Sequence, residues 1–149
     1  SGTRNNLTVK DFGNIINFSD GIDFYNTHNS FIDNLTISSC DNGINFLNSE
    51  NNSLTDITAT LNIQYGIVIV GSTGSTNNIL VNINASYNNF YGLNLAQAAN
   101  SFDVKVINSS FYENADMDIY VTGLICSSYF ENINDALIAR NKFLTELKN

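Results

Sequence analysis

The residues best placed to do chemistry in this chain share one position of a recurring phrase. Gly21-Ile22-Asp23-Phe24, Gly43-Ile44-Asn45-Phe46, Gly66-Ile67-Val68-Ile69 and Gly92-Leu93-Asn94-Leu95 all read Gly-apolar-x-apolar. Asp116-Met117-Asp118-Ile119 reads as a fifth copy that has lost its glycine. Side chains alternate between the two faces of a strand, so Asp23, Asn45, Val68, Asn94 and Asp118 are expected in one outward column. Polar groups repeated about 4.8 Å apart on stacked strands suit a ligand rich in hydroxyls. Tyr25, Tyr65, Tyr91 and Tyr120 near the same edge add amphipathic ring surface. The expected carbohydrate contacts are therefore Asp23, Asn45, Asn94, Asp116, Asp118 and Tyr91. A solvated strand face with tyrosines covering its turns explains the same residues, and Val68 breaks the polar column at its centre.

Catalysis asks for more. Hydrolysis of a glycosidic bond needs two carboxyl groups about 5 to 9.5 Å apart, and residues i and i+2 of a strand share a face at about 6.6 to 7 Å. Asp116 and Asp118 meet that distance crudely, and Asp20 and Asp23 form the other near pair. Lyase chemistry on acidic polysaccharides needs a cation beside the substrate carboxylate. Lys105 alone lies in the middle of the repeats, while Arg4, Lys10, Arg140, Lys142 and Lys148 are terminal. His28 is the single histidine and Met117 the single methionine, which is too little for a copper or zinc site. No nucleophile–histidine pairing, phosphate loop or dinucleotide motif is present, so no catalytic residue, metal or cofactor is assigned.

The phrase also defines the elements that must carry these residues. Its copies begin at 21, 43, 66, 92 and 116, a spacing of 22 to 26 residues. A fixed period of this size marks a solenoid whose repeats bury their apolar faces only by stacking. A second column aligns Ile57-Thr58-Ala59-Thr60-Leu61, Ile83-Asn84-Ala85-Ser86-Tyr87, Ile107-Asn108-Ser109-Ser110-Phe111 and Ile125-Cys126-Ser127-Ser128-Tyr129. Apolar or small residues at the odd positions and mostly polar ones between them give period two, the pattern of a half-buried strand. Asn, Gly, Ser and Asp fill the intervening turns, where Asn and Gly tolerate the left-handed backbone that corners need. The chain has no proline, as suits amides that must donate to the coil above or below.

Strands of the same phase must pair in parallel, because the chain always travels the same way round. With phrases such as Asn42-Gly43-Ile44-Asn45-Phe46, Asn77-Asn78-Ile79, Asn82-Ile83-Asn84-Ala85-Ser86-Tyr87-Asn88-Asn89 and Tyr91-Gly92-Leu93-Asn94-Leu95, residues 5 to 135 resemble the repeats of NosD-like proteins. These are also called carbohydrate-binding and sugar-hydrolase repeats, of the archaeal surface-protein or tailspike type. The resemblance implies a right-handed parallel β-helix, here of five to six short coils over residues 1–134. Asp135 then N-caps a helix over 136–148, with apolar residues near one stripe, predicted to cover the open end of the coil. An oligomer contact is the rival use of that helix.

Bulk properties bound the partners. The 149 residues carry 14 acidic and 6 basic side chains, a net charge of −8, which repels nucleic-acid backbones. No run approaches the roughly 18 apolar residues of a membrane helix. Ser1-Gly2-Thr3 reads as the start of a mature or excised piece without a secretory leader. Stacking would place Cys40 and Cys126 about 19 Å apart, beyond the ~7 Å reach of a disulfide, so both are predicted to be free thiols, with Cys40 buried. Six Asn-x-Ser/Thr sequons occur, no more than so Asn-rich a chain gives by chance. The expected function is a non-catalytic extracellular or surface module that spaces its neighbours and binds polysaccharide or cell-surface glycan weakly. The rivals are a fragment of a polysaccharide-active lyase, epimerase, hydrolase or tailspike, and a trimerising viral fibre segment. An oligomer would form through the C-terminal helix or the solenoid ends.

Overall fold

The computed structural model describes residues 2–71, 75–97, 103–122, 129–133 and 138–140. Within them every regular element is a strand. One sheet stacks Thr8–Ile16 (β2), Phe31–Ser38 (β5), Ser53–Thr60 (β7), Asn78–Asn84 (β9), Val104–Ile107 (β11) and Tyr129–Glu131 (β13) in that order. The other stacks Asp20–Tyr25 (β3), Asn42–Leu47 (β6), Tyr65–Gly71 (β8), Tyr91–Gln97 (β10), Met117–Thr122 (β12) and Ile138–Arg140 (β14). Arg4–Asn5 (β1) and Thr27–His28 (β4) form a short third ladder, extended by a bridge from His28 to Glu50. All pairings are parallel and link each strand to its counterpart one coil away. The expected parallel β-solenoid is thus observed, with about five turns.

The core is the space between the two long sheets. Ile22, Ile44, Ile67, Leu93 and Ile119 stack in one register column, and Phe24, Phe46, Ile69, Leu95 and Val121 in the next. The opposite sheet contributes Val9, Ile32, Leu54, Leu80 and Val106. Burying one such side chain fully contributes about 1.5–3 kcal/mol, and most members of these columns are fully buried. The first coil has a neighbour on one side only, and Leu7, Phe12, Ile16 and Phe18 are exposed there.

Corners are made by residues in the left-handed region. Asp11, Asn34, Asp56, Asn82, Asn108 and Asn132 repeat at φ 48–55°, the first four within strands of the first sheet and the last two just past the ends of β11 and β13. Their side chains bond along the stack, as Asn34 Nδ2 to Asp11 Oδ1 at 2.7 Å and Asn82 Nδ2 to Asp56 Oδ1 at 2.8 Å. Inside the coil a second ladder runs Asn62, Asn88, Asn114. Cys40 N donates to Asn62 Oδ1 at 3.1 Å, Asn62 N to Asn88 Oδ1 at 3.0 Å, and Asn88 N to Asn114 Oδ1 at 3.0 Å. A third internal set links Ser30 N to Asn52 Oδ1 at 2.9 Å and Asn52 N to Asn78 Oδ1 at 3.0 Å. These amides satisfy buried backbone donors that turns would otherwise orphan.

Three expectations need correction. The fifth Gly-phrase is not Asp116-Met117-Asp118-Ile119. Leu93 pairs with Ile119 and Asn94 with Tyr120, so Asp118 stands in the glycine column and Tyr120 in the outward one. Ile107 does not stack on Ile83 either: it pairs with Val81, and Asn84 bridges to Ser110. Both slips are of two residues. Third, Ile138–Arg140, inside the segment read as a helix, is a strand paired with β12, so the solenoid continues where a cap was expected. The rest of that segment and Cys126 lie outside the described residues. Cys40 is free and buried, as predicted.

Candidate functional site

The outer face of the second sheet is where the predicted contacts were to meet. Asp23 and Asn45 do so: they are in register, and Asn45 Nδ2 donates to Asp23 Oδ1 at 3.1 Å. At the start of the same two strands, Asn42 Nδ2 donates to Asp20 Oδ1 at 2.7 Å. Asn94 follows Val68 in the same outward column, yet it is only 7% exposed, and its Oδ1 has no hydrogen-bond partner. Tyr65, Tyr91 and Tyr120 stack in succession, with centroids 5.3 and 4.6 Å apart and planes inclined by 28° and 19°. Phe90 closes against Tyr65 at 5.8 Å.

Asp116 and Asp118 are separated by the fold. Asp116 is exposed on the outer face, and its carboxylate lies beside the Tyr91 phenol. Burial of the Tyr91 ring, then the charge of Asp116 beside it, raises its phenol above the ordinary value. The group is therefore a proton donor at neutral pH. Asp118 is turned inward, 8% exposed, and its Oδ1 accepts from Asn114 N at 3.3 Å and Asn114 Nδ2 at 2.9 Å. Those are the two donations that Asn88 makes to Asn114 Oδ1, each at 3.0 Å. Asp118 thus receives the asparagine ladder as the next rung would, from the glycine column. It is a ladder residue, and the pair proposed from i, i+2 spacing does not share a face.

His28 sits in the short ladder with Nδ1 3.3 Å from Glu50 Oε1, near enough for an ion pair when the ring is protonated but not aligned for a hydrogen bond. No group of three metal-ligating side chains occurs among the described residues. No helix of the described residues is long and apolar enough to cross a membrane.

A second surface, on the first sheet, escaped the sequence reading. Asn17, Ser39, Leu61, Tyr87 and Glu113 form another left-handed corner column, with φ between 52 and 65°. Leu61 is 63% exposed and Tyr87 46% exposed. A bulky side chain held in this region costs on the order of 1–3 kcal/mol, and exposure means burial does not offset it. Leu61→Asn is accordingly expected to stabilise the fold by about 0.5–1 kcal/mol, read as a rise in the urea midpoint at constant slope. A midpoint equal to or below the parent's would show that the corner carries no strain.

No family model matches this sequence, and no curated protein matches it. Its backbone defines a parallel β-helix. Among solved structures it is similar to the A-module of the Azotobacter vinelandii mannuronan C-5 epimerase AlgE4, at TM-score 0.74 and 18% identity. The match covers 87% of this chain and 35% of that one, so the chain spans about a third of the relative's length.

Proposed function

We propose that this chain is a non-catalytic β-helix module of the NosD-like, right-handed type, at a cell or virion surface, that engages polysaccharide along the outer face of its second sheet. The observation that carries the reading is the stacked strip Tyr65–Tyr91–Tyr120. Three ring edges and hydroxyls spaced by the coil repeat match a ligand that is itself a linear repeat. Asp23–Asn45 and Asp20–Asn42 extend the polar margin along the same face. The structural relative acts, by its name, on mannuronan, and supports polysaccharide as the ligand class.

A second reading, a fragment of a polysaccharide-active enzyme, is favoured by the same likeness and by the Tyr91–Asp116 contact. Against it stand the separated carboxylates and the charge of the face. Asp20, Asp23 and Asp116 lie on or beside it, and Arg4, near Asp23 and Tyr25, is the cation at its N-terminal end. A polyuronate would be repelled along most of the strip.

Affinity electrophoresis through neutral and acidic polysaccharides tests the reading. Tyr91→Ala is expected to weaken retardation by the bound polymer, a loss of about 1–2 kcal/mol for a central aromatic contact. Equal retardation of parent and variant would sink the assignment. Release of reducing ends or epimerised product by the parent would replace it with the enzyme reading.

A further inference from the structure

We propose a second, independent saccharide site in the groove beside Leu61 and Tyr87, selective for uncharged sugars. The groove is a shallow, open depression of about 480 Å³ on the outer face of the first sheet, lined by Thr58, Thr60, Leu61, Asn84, Ser86, Tyr87 and Tyr112. Three observations converge on a ligand. Leu61 and Tyr87 hold the left-handed corner, at φ 58° each, where Asn17 and Ser39 serve the same column in earlier coils. Leu61 is 63% and Tyr87 46% exposed, so neither core burial nor turn geometry accounts for their type.

The polar groups are also set for binding. Ser86 Oγ donates to Asn84 Oδ1 at 2.7 Å, which fixes the amide plane of a side chain that lines the groove. Thr58 lies in register with Asn84, so its hydroxyl and that amide form a row across neighbouring coils. Tyr87 and Tyr112 meet at 5.5 Å and 80°. An edge-to-face pair leaves both faces of one ring uncovered by the other, unlike the mutually stacked rings of the second sheet. An open ring face beside a few oriented donors is the arrangement that takes the apolar face and hydroxyls of a pyranose.

Charge selects the ligand further. No lining residue is cationic, and the carboxylate of Glu113 lies beside Tyr87. With a net charge of −8, the surface disfavours uronates.

The test is calorimetric titration of the whole chain with cellohexaose, mannohexaose and xylohexaose, with a mannuronate hexamer as the charged control. Tyr87→Asn keeps a residue suited to the corner, and Thr60→Val keeps the side-chain volume. Each is expected to weaken neutral-hexamer binding about tenfold. Leu61→Asn is expected to weaken it while raising the urea midpoint, which separates lost contact from lost fold. Tyr91→Ala should keep the neutral-hexamer binding component that Tyr87→Asn removes. The proposal is overturned if no neutral hexamer binds the parent, if Tyr87→Asn binds as the parent does, or if the mannuronate hexamer binds more tightly. Binding lost in Tyr91→Ala but kept in Tyr87→Asn overturns it while supporting the second-sheet strip.

Discussion

Gly66→Ala is expected to cost about 3–5 kcal/mol, enough to remove most of the stability of a domain this size. A Cβ at that position would stand 2.6 Å from the Gly92 carbonyl oxygen, 2.9 Å from Ala85 Cβ and 2.9 Å from Asn88 Nδ2. Two of those neighbours are a backbone atom and a Cβ, neither of which can swing away, and the third is pinned in the ladder. The requirement is steric, since Gly66 has no left-handed φ. Gly13 supplies the contrast: its φ is 86°, and nothing lies within 4 Å of the point a Cβ would occupy. Gly13→Ala should therefore cost only about 1–2 kcal/mol, through backbone strain alone. Urea unfolding followed by circular dichroism measures both. Equal losses, or a Gly66→Ala loss below about 1 kcal/mol, would show that the coils can separate to admit a methyl group.

The glycine column was legible because glycine recurs with a strict apolar-x-apolar tail, and that tail faces the core in every coil. Its reason was not legible. Gly43, Gly66 and Gly92 make room for Asn62, Asn88 and Asn114 of the following coil, whose Nδ2 atoms lie 3.0, 2.9 and 2.7 Å from where a Cβ would be. The errors at Ile107 and Asp118 have one cause. A two-residue slip leaves the period-two pattern of the sequence intact, so apolar alternation cannot detect it, even where a left-handed corner such as Asn108 changes which face a residue takes. What fixes the register is the corner asparagines, Asn82 with Asn108 and Asn88 with Asn114, both 26 apart. In a chain this rich in asparagine those partners could not be singled out by type. The candidate site suffered accordingly: the slipped alignment put Asp118 in the outward column of Asn94, whereas it stands in the glycine column, buried beside buried Ile119 where the alternation breaks. Leu61 and Tyr87 were read as fifth positions of apolar strands, because period two cannot announce a left-handed corner that turns them back to solvent.

Asn88→Ala is the second large effect expected, about 3–4 kcal/mol, although the residue belongs to none of the apolar core columns. Asn88 Oδ1 accepts from Asn62 N and Asn62 Nδ2, both at 3.0 Å. Its Nδ2 donates to Ala59 O at 3.1 Å and to Asn114 Oδ1 at 3.0 Å. Truncation strands two donors and one acceptor below and one acceptor above, in a largely buried setting, and each unsatisfied group costs about 1–3 kcal/mol less whatever water enters to replace the amide. Asn45→Ala removes one exposed bond to Asp23 and should cost less than about 1 kcal/mol, so position in the coil, and not residue type, sets the magnitude. The cavity left by Asn88→Ala also relieves one of the three approaches at Gly66. Combined with Gly66→Ala it should be less destabilising than the two losses added, because neighbours that share a partner do not act independently. The rescue is expected to be small, since the Gly92 carbonyl remains 2.6 Å away. A double variant whose loss equals the full sum would mean that the asparagine does not occupy the space the glycine leaves, and the coupling between ladder and glycine column would have to be abandoned.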